Sequence, residues 1–346
     1  GSELCRQALK QDAMQLIIFE NTEFNLYEIE KELQNTAAKL NIETKITPVL
    51  GDVCDKQNFE RTIKTHSVDT IYHAAAYKHV PMVESNIVEG VRNNVFGTLT
   101  AAQSALKCGV QKFVLISTDK AVRPTNVMGA SKRVSEMILQ ALQDSQNNTS
   151  TKFTMVRFGN VLDSAGSVVP LFRTQIRNGG PITVTHEDVE RFFMTIPEAA
   201  QLVLQAGAMA EGGEVFLLDM GEAVKIHDLA TRMIRLSGLQ VKNHSNPDGD
   251  IEIEITGLRP GEKLYEELFI TTDIDSTRHP SIMKATEDYL SWTEMSDVCD
   301  RLGKLIEGGD DLLIKKLLSE LVDGYIFRTP TSQTEPLVNP VAKIAE

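Results

Sequence analysis

Short apolar runs rich in β-branched and aromatic residues recur along the chain, and between them apolar residues return at every third or fourth position. The first pattern is that of a strand buried on both faces, the second that of an amphipathic helix. Leu16 to Phe19, Ile46 to Leu50, Thr70 to His73, Phe113 to Ile116 and Phe153 to Phe158 read as strands. Leu4 to Leu9, Phe24 to Leu40, Phe59 to His66 and Asn86 to Gly109 read as the helices between them. In Phe24 to Leu40 the apolar set is Leu26, Ile29, Leu33 and Ala37. Such alternation predicts an α/β fold with a parallel sheet.

Further on, Pro181 to Val184 and Glu214 to Asp219 read as strands. Pro197 to Ala208, with Pro in its first turn, and Ile226 to Leu236 read as helices. Ile251 to Ile255 alternates Ile with Glu and reads as an edge strand. Two short helices without visible chemistry are expected from about Asp297 to Tyr325. The tail 328–346, rich in Thr, Pro and Ser, is expected to be disordered.

With 346 residues the chain exceeds one average domain. Its net charge of -13 repels a phosphate backbone and argues against nucleic acid as a partner. Cys5, Cys54, Cys108 and Cys299 have no metal-like spacing, so no metal site is expected, and scattered thiols suit a reducing compartment. No apolar run reaches the roughly 18–20 residues that span a bilayer, and there is no signal peptide. The sequon at Asn147-Asn148-Thr149 reads as a polar loop.

The chemistry concentrates in Phe113 to Lys132, FVLISTDKAVRPTNVMGASK. Ser117, Thr118, Asp119 and Lys120 follow the apolar run, at the carboxyl end of a strand, where open α/β sheets bind ligands. Pro124-Thr125-Asn126 breaks the chain and can cap a helix. That helix carries Met128 and Lys132 four residues apart on one face. Taken alone, a Met at this spacing is a core residue and a lone Lys a solvated charge; the strand-end Ser-Thr-Asp-Lys beside them changes that balance. At the end of Thr70 to His73, the small Ala74 and Ala75 would let a ligand approach the backbone, and Lys78 could reach a phosphate.

This stretch resembles the extended short-chain dehydrogenase/reductases, where a Ser or Thr ends the strand and Tyr-x-x-x-Lys sits on the next helix. Here Lys132 holds the Lys place and Met128 the Tyr place. STDKAVRPTNVMGASK is closer still to the UDP-N-acetylglucosamine 4,6-dehydratases, whose larger, often membrane-anchored members also carry Met there. The likeness runs from Gly1 to about Glu267. It implies a Rossmann-type doubly wound parallel sheet with a smaller C-terminal sugar-nucleotide domain. The expected division is 1–165 for NAD, 166–290 for substrate and interleaved with the sheet, 291–327 a helical appendage, and 328–346 the tail. Gly1-Ser2-Glu3-Leu4-Cys5-Arg6-Gln7 is similar to the end of the family's glycine-rich phosphate loop, so the first strand is expected to be missing.

The resemblance implies NAD as cofactor, held by Gly1, Glu20, Asp52, Val53, Ala74, Ala75, Ser117, Lys132 and Val161. Glu20 would take ribose hydroxyls, and Asp52-Val53 would flank the adenine. A UDP-sugar would meet Lys78, Asn160, Ser167, Thr183, Arg191, Arg259 and Glu262. Arg259 and Glu262 belong to the Arg-Pro-Gly-Glu-Lys loop, where a guanidinium fork suits a diphosphate.

The implied reaction is loss of water from UDP-N-acetylglucosamine to give the 4-keto-6-deoxy sugar, with NAD recycled, for bacterial glycan or surface polysaccharide synthesis. Lys120 would take the C5 proton and Asp119 protonate the departing C6 hydroxyl, while Thr118 positions the C4 hydroxyl. Met128 cannot act as acid or base. An epimerase on the same fold, a non-catalytic nucleotide-sugar or NAD sensor, and an inactive truncated chain remain the other readings. A cytoplasmic homo-oligomer is expected, and the resemblance to the membrane-anchored members leaves open a parent held at the inner membrane by an upstream segment.

Overall fold

A computed structural model describes residues 1–11, 13–146, 151–267 and 274–326. The sequon and the tail lie outside them. The frame is five strands: β1 (Gln15–Glu20), β2 (Lys45–Leu50), β3 (Thr70–His73), β4 (Lys112–Ile116) and β5 (Lys152–Arg157). β3, β4 and β5 pair in parallel, and Val215–Leu218 extends the sheet parallel to β5. Ile282–Ala285 and Ile274–Ser276 then add antiparallel strands. These three strands, all from the segment 166–290, therefore belong to the same sheet as β3 to β5.

β1 and β2 form a parallel pair of their own. Between β1 and β3 lies a slot of about 1450 Å³, lined by Leu16 to Glu20 on one side and Thr70 to Ala74 on the other. Gly1, which opens the helix Ser2–Leu9, also lines it.

β4 is buried on both faces: Phe113, Val114 and Leu115 have no exposed surface. This is the physical meaning of its unbroken apolar run. Phe113 packs against the rings of His73 and Phe153 on the neighbouring strands. The helix Val127–Asp144, called here the central helix, is buried at every position from Val127 to Leu142. One side meets β5, and the helices Trp292–Gly308 and Asp311–Leu321 cover another. A helix covered all round needs no polar face.

Three expectations change. The helix expected over 86–109 is broken by a π-turn at Arg92–Phe96, flanked by Ile87–Val91 and Gly97–Cys108. The turn sets Asn94 inward, where its Oδ1 accepts from Tyr77 N and its amide donates to Tyr77 O and to Ser131 Oγ of the central helix. Ile251–Ile255 is not an edge: it pairs with Val241–Lys242 on one side and Ile182–Val184 on the other. Those partners are two and three residues long, too short to show a period of their own. The first of the two helices expected from about Asp297 begins earlier, at Trp292, behind a capping box formed by Ser291 and Glu294. The smaller domain has its own core around Phe172, Ile182, Val184, Ile234 and Ile251. Among the described residues no helix is long and apolar enough to cross a membrane.

Under the sheet edge lies a buried ion network. Arg157, at the end of β5, donates through Nε to Glu136 Oε1 at 2.7 Å and through Nη2 to Glu287 Oε2 at 2.7 Å. Arg133 Nη1 lies 3.2 Å from each of the same two glutamates. Two guanidinium groups thus balance two carboxylates, and every member is nine-tenths buried. Removing one partner leaves an uncompensated buried charge. Arg157→Leu should lower unfolding free energy by roughly 3–5 kcal/mol in a urea titration. A loss below about 1 kcal/mol would mean that the network carries little stability.

Candidate active site

The chain leaving β4 stays tied to β5. Ser117 N donates to Val156 O at 2.8 Å and Asp119 N to Phe158 O at 3.1 Å. Thr118 is extended, and its hydroxyl accepts from Lys120 N, which starts the short turn Asp119–Ala121. The turn reverses the chain at the carboxyl edge of the sheet. Asn126 then caps the central helix by accepting from Gly129 N at 2.9 Å. Gly129 is required there: a Cβ would stand 2.1 Å from Lys120 O. The helix can therefore press directly on the turn.

Lys120 Nζ lies 3.1 Å from Asp119 Oδ1, 3.2 Å from Asn160 Oδ1 and 3.4 Å from Glu266 Oε1. The Thr118 hydroxyl donates to Asp119 Oδ1 at 2.9 Å. Burial pushes the Asp119 carboxyl above its usual range, and Glu266 adds to the shift against the opposing pull of Lys120. Burial disfavours the charge on Lys120, but Asp119 and Glu266 outweigh it and raise its pKa. Glu266 is held below the usual range because Lys120, Arg191 and Lys263 outweigh its burial. Burial thus favours a proton on Asp119, while Lys120 is held as an ammonium and Glu266 as a carboxylate.

Thr118 and Lys120 line a cavity of about 780 Å³. Asp119 does not; it is 1% exposed and sits behind Gly159, whose Cβ position lies 3.0 Å from Asp119 Oδ2. Met128 and Lys132 both reach the cavity from the central helix. Burial lowers the Lys132 pKa to about 8, although Glu136 opposes the shift. Beneath them His73 is buried and neutral, its pKa lowered to about 3 chiefly by burial and then by Lys132.

The expected cofactor residues fall along one path. Glu20, Val53 and Ala75 line the slot; Gly1 and Ala74 line both slot and cavity; Ser117, Lys132 and Val161 line the cavity. Asp52 lines neither, and its carboxylate accepts from Cys54 N at 2.8 Å. Ser117 is committed downward, its hydroxyl donating to Glu136 Oε1 at 2.6 Å.

All seven expected substrate residues line the cavity. Lys78 and Arg259 are exposed at it, and Ser167 holds a buried hydroxyl oxygen without a partner. The other polar groups are engaged with protein. Thr183 bonds the Gln175 amide. Glu262 accepts from Thr185, Arg191 and Arg259 N. Arg191 donates to Leu264 O and Lys263 O, so it clamps the loop behind Arg-Pro-Gly-Glu-Lys. That loop is docked on the central helix: the Thr125 hydroxyl and Asn126 amide both donate to Gly261 O. Gly261 has a φ of +76°, and its Cβ position lies 2.9 Å from Asn126 Cβ, so a side chain there is doubly disfavoured.

Sequence reasoning missed Glu136, Arg157 and Glu266. Glu136 stands four residues beyond Lys132 on the same helix face, a spacing that could have flagged it. Nothing local marks Arg157 or Glu266, whose partners are remote in sequence.

The family described as "Polysaccharide biosynthesis protein" matches residues 1–287. The chain belongs to this family. Within it, the chain is 48% identical over 303 residues to the capsular polysaccharide biosynthesis protein CapD of Staphylococcus aureus, covering 87% of this chain and 49% of that one. It thus spans about half the length of that relative. It is 33% identical over 225 residues to the UDP-N-acetylglucosamine 4,6-dehydratase (inverting) of Campylobacter jejuni, 65% of this chain and 62% of the relative. It is 35% identical over 230 residues to a UDP-glucose 4-epimerase of Rickettsia canadensis, 66% of this chain and 64% of the relative. Among solved structures, Pen from Bacillus thuringiensis superposes with a TM-score of 0.73 at 31% identity, covering 87% of this chain and 94% of that one. The dTDP-glucose 4,6-dehydratase DesIV of Streptomyces venezuelae, solved with NAD, superposes at 0.63 and 21% identity over 78% and 84%, which speaks to the fold. The polysaccharide family is thus a Rossmann-type one with nucleotide-sugar dehydratases and epimerases among its relatives.

Lys132 should lose its proton as pH rises through about 8. Its ¹³Cε NMR signal should titrate there, with Lys132→Arg identifying the peak. A midpoint near 10.4, the ordinary lysine value, would show that water reaches the ammonium freely.

Proposed function

We propose that the protein is a nucleotide-sugar 4,6-dehydratase converting UDP-N-acetylglucosamine to the UDP-4-keto-6-deoxy sugar, with NAD as cofactor. The observation that carries this reading is the Asp119–Lys120 pair at 3.1 Å behind and on the wall of the cavity, with the aliphatic Met128 where an acid–base Tyr would stand. An epimerase needs an acid–base group at the C4 hydroxyl but no second pair for carbon–oxygen cleavage. The two named 4,6-dehydratases support the reading, one as a sequence relative and one as a fold neighbour.

Residues along the slot and cavity fit NAD. Small side chains at Gly1, Ala74 and Ala75 leave room for it, Glu20 faces the slot, and Lys132 offers an ammonium at the cavity end. Bound NAD supplies the hydride acceptor and the returning donor. The chain supplies proton handling. Next to a ketone at C4 the C5 proton is acidic, and Lys120 takes it once its own nitrogen has shed a proton. Burial favours a proton on Asp119, and that proton reaches the departing C6 hydroxyl through Thr118 once the Thr118 hydroxyl turns to accept from the carboxyl and donates its own hydrogen into the cavity. Asn160 keeps the Lys120 nitrogen aimed. Lys78 and Arg259 suit the diphosphate as exposed cations on the cavity wall.

The full-length protein, incubated with NAD and UDP-N-acetylglucosamine in deuterated water, should give a product lighter by one water and labelled at C5. An unchanged sugar skeleton with inverted C4 would make it an epimerase, and binding without turnover a sensor. Lys120→Ala should slow C5 exchange by roughly 10²–10⁴-fold with NAD binding nearly intact; normal exchange would remove Lys120 from the mechanism. Arg259→Ala should weaken UDP binding by roughly 1.5–3 kcal/mol by calorimetry, and an unchanged affinity would place the diphosphate elsewhere.

A further inference from the structure

We propose that Glu266 is a positioning residue of the Asp119–Lys120 centre: it holds the Lys120 ammonium at the cavity wall and sets the pH at which Lys120 sheds a proton to become a base. This rests on the dehydratase reading. Glu266 follows the Arg-Pro-Gly-Glu-Lys loop, outside the motif, yet its side chain is 4% exposed and lines the same cavity as Lys120. Its Oε1 stands 3.4 Å from Lys120 Nζ and 3.7 Å from Arg191 Nε. Its Oε2 is buried without a partner among the described residues, as is Asp119 Oδ2. A buried carboxylate oxygen left unpaired is costly and calls for an explanation. Both belong to carboxyl groups whose other oxygen faces the Lys120 ammonium, so two buried acids are held against one cation.

The position of Glu266 is fixed from several sides. Lys263 Nζ donates to Val122 O at 2.9 Å, on the chain just past the Asp119–Ala121 turn. Arg191 grips Lys263 O and Leu264 O. Thr125 and Asn126 hold Gly261 O. The loop that carries Glu266 is therefore bolted to the same turn and helix start that carry Lys120. The charged groups facing the pair are Asp119 from the turn, Arg191 from the short strand Glu190–Arg191, and Lys263 with its partner Glu267 from the loop.

The proton step balances. A Lys120 N–H bond breaks and the proton passes to water in the cavity that Lys120 lines, leaving a neutral amine beside the Glu266 carboxylate. The amine lone pair then takes the C5 proton, which restores the ammonium. In this scheme one negative charge on Glu266 raises the pKa of both Lys120 and Asp119, so it sets the pH at which the pair is in working form.

The test is Glu266→Gln, an isosteric change that keeps the loop contacts. The midpoint of the Lys120 ¹³Cε NMR titration, read without substrate, should fall by roughly one pH unit or more. Both limbs of the pH profile for C5 exchange should move to lower pH by a similar amount, and Glu266→Asp should restore them in part. A lowered rate with both limbs unmoved, or a Lys120 midpoint the same as in the parent, overturns the proposal. If the parent protein shows no dehydration at all, the functional reading fails, and the substrate-free midpoint still decides whether Glu266 governs Lys120.

Discussion

The site depends on a pair of guanidinium groups buried against two carboxylates. Arg157 ends β5, Glu136 and Arg133 sit on the central helix, and Glu287 follows the strand Ile282–Ala285. Buried ion pairs contribute little net stability over an apolar core of the same shape. Their value here is directional. Bidentate Arg–carboxylate bonds tolerate little sliding, so the helix cannot shift along the sheet without breaking several at once. The Ser117 hydroxyl joins the same cluster, which fixes the first residue beyond β4. The cluster therefore sets the distance between strand end and helix, the two elements that carry every candidate acid and base except Glu266.

A second constraint acts from above. Gly261, Lys263 and Arg191 fasten the loop 257–267 to the start of the central helix, and the helices Trp292–Gly308 and Asp311–Leu321 cover the helix from outside. Lys315 from the second of these donates to Glu84, whose other oxygen accepts from Val127 N at the start of the central helix. The appendage without chemistry of its own thus helps hold the helix start that aims Met128 and Lys132.

What could be read from the sequence follows from how local each signal is. The strand β4 and the Thr118-Asp119-Lys120 end are written in consecutive residues, and Asn126 announces the helix by its own capping preference. Gly261 and Arg259 stood out because a turn motif is contiguous. The Arg157–Glu287 pair joins residues 130 apart in sequence, and Lys120–Glu266 joins two stretches more remote still. Neither pairing has a local pattern, so no period or motif could reveal them. Arg191 and Glu262 were legible as polar residues of the site, but only packing shows that they spend their bonds on each other and on the loop. The first appendage helix was expected from about Asp297 rather than Trp292 because its capping box lies in polar residues ahead of the apolar period.

Met128 turns these constraints into a question of proton inventory. A thioether 3% exposed beside Lys132 offers no proton and little solvation. That apolar neighbourhood is part of the burial that draws the Lys132 pKa down to about 8. With a hydroxyl in place of the thioether, a proton path would run along the helix from residue 128 to Lys132. With Met the path is absent, and on the proposed reading the proton chemistry must move to the other wall. There Thr118, Asp119, Lys120 and Glu266 form a contiguous chain of groups in contact. A centre where burial favours a proton on one acid while three cations keep a second carboxylate ionised separates the two acids by environment alone. The loss of one acid–base residue on the helix is then offset by a wall that holds both roles, which is why the strand end rather than the helix is where the chemistry of this chain is concentrated.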